Sequence, residues 1–180
     1  MIIEGRIVSP ERVASGQIRI EGERIVEVGP SLGDVDRRFS DDCLIFAGFG
    51  DIHIHARDDG SGRESHKEDL GTAAAAAVNG GVVHVADMPN NHLPPIDDES
   101  YASKQRVLES RQVPIHVTLY AGIGPGTRPL SKPVPYKAYM GPSVGELYFK
   151  TLRDLDETLA AYKGQAVSFH CEDPELMDEH

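Results

Sequence analysis

The chain opens on alternating apolar and polar residues. Ile2-Ile3-Glu4-Gly5-Arg6-Ile7-Val8, Gln17-Ile18-Arg19-Ile20 and Arg24-Ile25-Val26-Glu27-Val28 each read as a short strand, and Glu21-Gly22-Glu23 supplies a turn between the last two. Period-two alternation joined by such a turn predicts a hairpin and, over residues 1–47, a small β module. From residue 48 the rhythm changes to apolar strand followed by helix, which points to α/β structure with parallel strands under covering helices. Strands are expected at 48–55, 82–88, 114–120, 136–140 and 165–170. A capping pattern at Ser65-His66-Lys67-Glu68 predicts a helix through the alanine run at 73–77 to a stop at Gly80-Gly81, and that alanine face suits a close approach of helix to sheet. Further helices are expected at 98–111 and 151–162, whereas 122–135 is rich in Gly and Pro and reads as a loop where a covering helix would stand.

Five strand units in residues 48–180 do not close a (β/α)8 barrel, which needs eight and typically ~250 residues. An open parallel sheet leaves an edge and an apolar face uncovered. A second polypeptide or a missing C-terminal half is therefore expected to complete the barrel.

Charge narrows the partners. Eighteen basic against twenty-nine acidic residues give a formal charge of -11, which argues against nucleic acid or an anionic membrane. No apolar run approaches the ~20 residues of a membrane span, and the first residues lack the pattern of a signal peptide, so a cytoplasmic location is expected. Cys43 and Cys171 follow no zinc or redox spacing and are expected as free thiols.

The candidate chemistry begins at Gly48-Phe49-Gly50-Asp51-Ile52-His53-Ile54-His55-Ala56-Arg57. In an extended strand His53, His55 and Arg57 share one face. Two neutral imidazoles at that spacing suit one metal ion, and the planar guanidinium suits a carboxylate. An acidic protein that takes a small anionic substrate needs such a local cation. Asp51 is expected to orient a histidine or the strand. His84 and His116 read as mid-strand residues without partners, and His66 and His92 as loop or cap residues.

Five segments in order resemble the cyclic amidohydrolases of the amidohydrolase superfamily, the dihydroorotases most closely. They are 48–57, His66-Lys67-Glu68-Asp69, Asp87-Met88-Pro89-Asn90-Asn91, Tyr136-Lys137-Ala138-Tyr139-Met140-Gly141 and His170-Cys171-Glu172-Asp173. Ala47 and Asp59 depart from the usual pattern. The resemblance implies the first five units of a metal-dependent hydrolase barrel of the TIM type, preceded by one part of a β-sandwich whose other strands come from the far C-terminus. It also implies two zinc ions held by His53, His55, His170 and Lys137, the lysine carboxylated to a carbamate. Arg57 and Asn90 are implied to bind the substrate carboxylate, and a general-base aspartate is expected in the part of the family fold absent here. The implied reaction is reversible hydrolysis of L-dihydroorotate to N-carbamoyl-L-aspartate in pyrimidine biosynthesis, by a homo-oligomer. The alternatives are a hydantoinase or allantoinase relative, and a catalytically silent subunit serving in assembly. His180 lies too soon after the fifth strand to be taken as the missing ligand.

Overall fold

The computed structural model describes residues 1–143, 145–173 and 176; His180 lies outside the described residues. The chain divides into two compact units, Met1–Gly48 and Phe49–His180.

In the first unit, β1 (Ile2–Val8), β2 (Val13–Glu21) and β3 (Arg24–Gly29) form an antiparallel meander. Gly22 adopts the left-handed backbone (φ 59°) that the tight β2–β3 turn requires. Two short strands, β4 (Arg37–Arg38) and β5 (Leu44–Ile45), pair parallel with β1 and complete a five-stranded sheet. The hairpin expected from alternation is present. A single sheet accounts for the strands of this unit among the described residues, which is one layer of the expected β-sandwich; its second layer is expected from strands outside this chain.

The second unit alternates strand and helix. It runs β6 (Phe49–Ile54), α1 (Leu70–Asn79), β7 (Val82–Asp87), α2 (Asp98–Arg111), β8 (His116–Leu119), β9 (Ala121–Ile123), β10 (Tyr136–Tyr139), α3 (Leu152–Leu159), a 3-10 turn at Ala160–Tyr162, and β11 (Val167–His170). All pairings are parallel, in two sheets ordered β6-β7-β8 and β9-β10-β11. Only Tyr120 separates β8 from β9, so the third expected strand is one extended segment that changes sheets at that residue.

The helix at 98–111 begins and ends where the pattern places it. Asp97 caps it by accepting from Ser100 N, Asp98 and Glu99 occupy the first turn and Arg111 the last, as the helix dipole favours. The first helix starts later than expected. Asp69 is its cap, accepting from Thr72 N while Thr72 Oγ1 accepts from Asp69 N, and Ser65 instead donates its hydroxyl to Gly62 O. Its alanines also leave space: Ala73, Ala76 and Ala77 border a cleft of about 320 Å³ with Val82 and Val85.

The segment 122–135 carries no helix, and tyrosines do the packing there. Tyr136 Oη accepts from Leu130 N (2.7 Å), Tyr162 Oη donates to Thr127 Oγ1 (2.8 Å), and the two rings meet edge to face at 5.0 Å. These rings, with Tyr101, Ile123, Phe149 and Leu155, form the core between the β9-β10-β11 sheet and its helices. Because Tyr136 and Ala138 point into this core, Lys137 and Tyr139 point to the opposite face.

Candidate metal and carboxylate site

Most of the expected site residues lie near or just beyond strand C-termini, whereas Lys137 is the second residue of its strand. His53 is in β6, His55 and Arg57 follow it, Asn90 follows β7, Lys137 is in β10, and His170 ends β11. Tyr139 and His170 are paired across β10 and β11, and their rings lie 5.9 Å apart. On β6, Asp51 Oδ1 accepts from His53 N (3.0 Å), which fixes the strand backbone at the first histidine.

The rings of His53 and His55 are 5.2 Å apart. Burial holds His53 below the ordinary imidazole value, reinforced by the charges of Lys137 and His170 and opposed by Asp51. Burial does the same for His55, opposed by its bond to Asn90 and reinforced by Arg57. Both imidazoles are therefore neutral at pH 7, the form that binds metal. His55 Nδ1 donates to Asn90 Oδ1 (2.7 Å), leaving Nε2 as its lone-pair nitrogen.

Asn90 is a junction. Its Nδ2 donates to Ser143 Oγ (3.0 Å), and its carbonyl accepts from Arg57 Nη1 (2.9 Å). One buried residue thus ties the candidate ligand His55 to the candidate carboxylate-binding cation. Arg57 has a left-handed backbone (φ 57°), uncommon for a residue with a side chain and costing of order 1 kcal/mol or more unless its surroundings hold it.

Lys137 is 2 % exposed. No carboxylate pairs with it among the described residues; its Nζ lies 5.6 Å from the centre of the Tyr139 ring. Burial lowers its pKa, partly countered by Cys171. Tyr139 is also buried, and its hydroxyl makes no hydrogen bond among the described residues. Burial raises that phenol well above its usual value. His170 Nε2 pairs with Glu172 Oε1 at 3.0 Å.

Among the described residues no three His, Cys, Asp or Glu side chains converge closely enough to hold an ion. Lysine in its ammonium form cannot add to the set, since it has no lone pair. A carbamate at Lys137 fits the observed surroundings: the positive charge of the ammonium disfavours protonation of His53 and has no carboxylate partner among the described residues, whereas a negative group there would suit both.

One mid-strand histidine behaves otherwise than expected. His84 has a partner, Thr118 Oγ1 at 2.8 Å, and its ring lies 6.2 Å from that of His116. His92 contacts Glu64 at 3.2 Å. The sequence reading passed over Lys104, which is buried in an ion pair with Asp87 (2.9 Å); a lysine in the middle of a polar helix gives no local sign of that. Cys43 and Cys171 are free and exposed, as expected. No helix among the described residues is long and apolar enough to cross a membrane.

No family model matches the chain. It is 28 % identical to the dihydroorotase of Pyrococcus horikoshii over 184 aligned positions, which cover all of this chain and 41 % of that protein. It is 35 % identical to the dihydroorotase of Pyrobaculum aerophilum over 170 positions, covering 90 % of this chain and 43 % of the relative. The chain thus spans about two-fifths of the length of the curated relatives it matches. Among solved structures it resembles L-hydantoinase (dihydropyrimidinase) from Arthrobacter aurescens, with a TM-score of 0.76 at 19 % identity over 99 % of this chain and 42 % of that one. That likeness is one of fold.

Proposed function

We propose that this chain, which is homologous to the N-terminal part of the dihydroorotases, carries the metal-holding and carboxylate-binding portion of an enzyme that hydrolyses the cyclic amide of L-dihydroorotate, reversibly, to N-carbamoyl-L-aspartate. The observation that carries this reading is the double engagement of Asn90, whose side chain orients His55 and whose carbonyl holds Arg57. An arginine fixed beside a metal-binding imidazole suits a substrate whose carboxylate lies next to its scissile amide. Its fork offers paired donors to that carboxylate, and Asn90 can contribute its amide there by exchanging its present partners.

His53, His55, His170 and Lys137 as carbamate are the residues that would hold two zinc ions. Zinc there supplies Lewis-acid polarisation of the substrate carbonyl and brings the pKa of water near neutrality. Lys137 enters this set by chemistry its burial favours: the neutral amine adds to carbon dioxide, a C–N bond forms and one proton leaves to water. A general-base aspartate is expected from beyond these residues, as are the strands that complete the barrel. The exposure of Ile52 (78 %) on β6, which pairs only with β7 among the described residues, supports an added strand at that edge.

The test compares L-dihydroorotate with dihydrouracil, the same ring without the carboxylate, in wild type and Arg57→Gln. Charge-assisted hydrogen bonds of about 1.5–3 kcal/mol predict a loss on the order of 10- to 100-fold in kcat/KM for L-dihydroorotate alone. An equal loss on both substrates, or none, contradicts the reading and favours a hydantoinase-like or allantoinase-like activity. The silent-subunit alternative draws on the His170–Glu172 pair, which occupies a candidate ligand nitrogen. Metal content decides that case.

A further inference from the structure

We infer that the buried Asp87–Lys104 pair is a clamp that holds Arg57 in its left-handed backbone, and that Lys104 and Asp87 are thereby positioning residues for carboxylate recognition. The inference rests on the carboxylate-binding reading of Arg57.

The geometry brackets Arg57 on both sides. Before it, Ala56 N donates to Asp87 Oδ1 (2.8 Å). After it, Asp58 O accepts from Lys104 Nζ (2.5 Å), and the Asp58 carboxylate receives Arg111 Nε and Nη2 at 2.7 and 3.2 Å. Lys104 Nζ also reaches Asp87 Oδ2 (2.9 Å) and Asn91 Oδ1 (3.2 Å). One ammonium on α2 therefore joins the end of β7, the loop after β6 and the loop after β7, which are the segments that carry Arg57 and Asn90. The two charged side chains are 2 % and 0 % exposed, so water does not loosen them. Residues at rare backbone angles persist where neighbours over-determine them, and here both flanking peptides are tied to the same ion pair. The polar contacts of both side chains go to backbone, to Asn91 and to each other around Arg57, so each is assigned a role that acts through Arg57.

Lys104→Met alone leaves Asp87 as an uncompensated buried charge and is expected to fold poorly. The informative variant is therefore Asp87→Asn/Lys104→Met, which removes both charges and keeps an acceptor for Ala56 N. Backbone amide hydrogen exchange on the assembled protein is expected to quicken at least tenfold at residues 56–58, while β10 stays protected. In the same protein KM for L-dihydroorotate is expected to rise about tenfold at nearly constant kcat, with dihydrouracil unaffected. Arg57→Gly, which suits the left-handed backbone without a clamp, should show little further change in exchange when combined with the double variant. Unchanged exchange at 56–58 overturns the clamp. Quickened exchange with an unchanged KM ratio overturns its role in recognition. A wild type that does not distinguish the two substrates defeats the underlying reading of Arg57, a result separate from the exchange measurement.

Discussion

Lys137→Met should make the metal-free protein more stable. The lysine is 2 % exposed and has no carboxylate partner among the described residues, and the favourable contact of its ammonium is with the Tyr139 ring at 5.6 Å. Burying an ion costs several kcal/mol even after relaxation, and a cation–π contact at this distance returns only about 1 kcal/mol. Methionine keeps most of the apolar stem and loses one heavy atom, a cavity cost of about 1 kcal/mol. Because the amine is only partly desolvated the burial cost is discounted, and the balance is a gain of about 1 kcal/mol, or a urea midpoint raised by about 0.5 M at a typical slope of ~2 kcal/mol/M. Tyrosine fluorescence isolates the relevant unit, because the chain has no tryptophan and all six tyrosines fall between Tyr101 and Tyr162. The assay belongs in chelator and carbon dioxide-free buffer, so that the unmodified lysine is compared. A midpoint lowered by the substitution would refute the reasoning, since it would mean that the ammonium is well paired in the folded protein.

Other perturbations follow from the same contacts. Burial alone would raise the Asp58 carboxyl, but the hydrogen bonds and charge of Arg111 outweigh it and hold it below the ordinary value. The stability it lends is present above pH ~4 and is lost as pH falls through the depressed folded value. Arg111 is half exposed, so Arg111→Met should cost about 1 kcal/mol at pH 7 and flatten the acid limb below pH 4; an unchanged urea midpoint ratio between pH 7 and pH 3 would speak against it. A methyl on Gly122 would collide with Leu147 and press on Ile96, so Gly122→Ala should destabilise by about 1–3 kcal/mol in thermal unfolding. Tyr136→Phe strands Leu130 N in the core and should cost about 1–2 kcal/mol, with a normal midpoint as the contrary result.

Local signals were legible where one segment contains all the information. The helix at Asp98–Arg111 shows its cap, acidic first turn and basic last turn within sixteen residues. The start of α1 was ambiguous because Ser65-x-x-Glu68 and Asp69-x-x-Thr72 are both cap patterns; the structure selects Asp69 by turning the Ser65 hydroxyl toward Gly62. Motif order brought forward His53, His55, Arg57, Asn90, Lys137 and His170 as candidates. What joins them was not readable, since His55 and Asn90 are 35 positions apart and no period or spacing encodes that bond. Lys104 is the sharper case. On a polar helix it looks like a solvated lysine, and only the approach of β7 and the loop after β6 makes it a buried counter-ion.

The account centres on a metal site built around Lys137, and metal analysis of the purified, assembled protein tests it most directly. Wild type prepared with zinc and bicarbonate should hold close to two zinc ions per chain. Lys137→Ala should lose most of that zinc while remaining folded by tyrosine fluorescence. Wild-type protein that is folded and assembled yet holds no stoichiometric metal, or a Lys137→Ala variant that keeps its full complement, would contradict the proposed site.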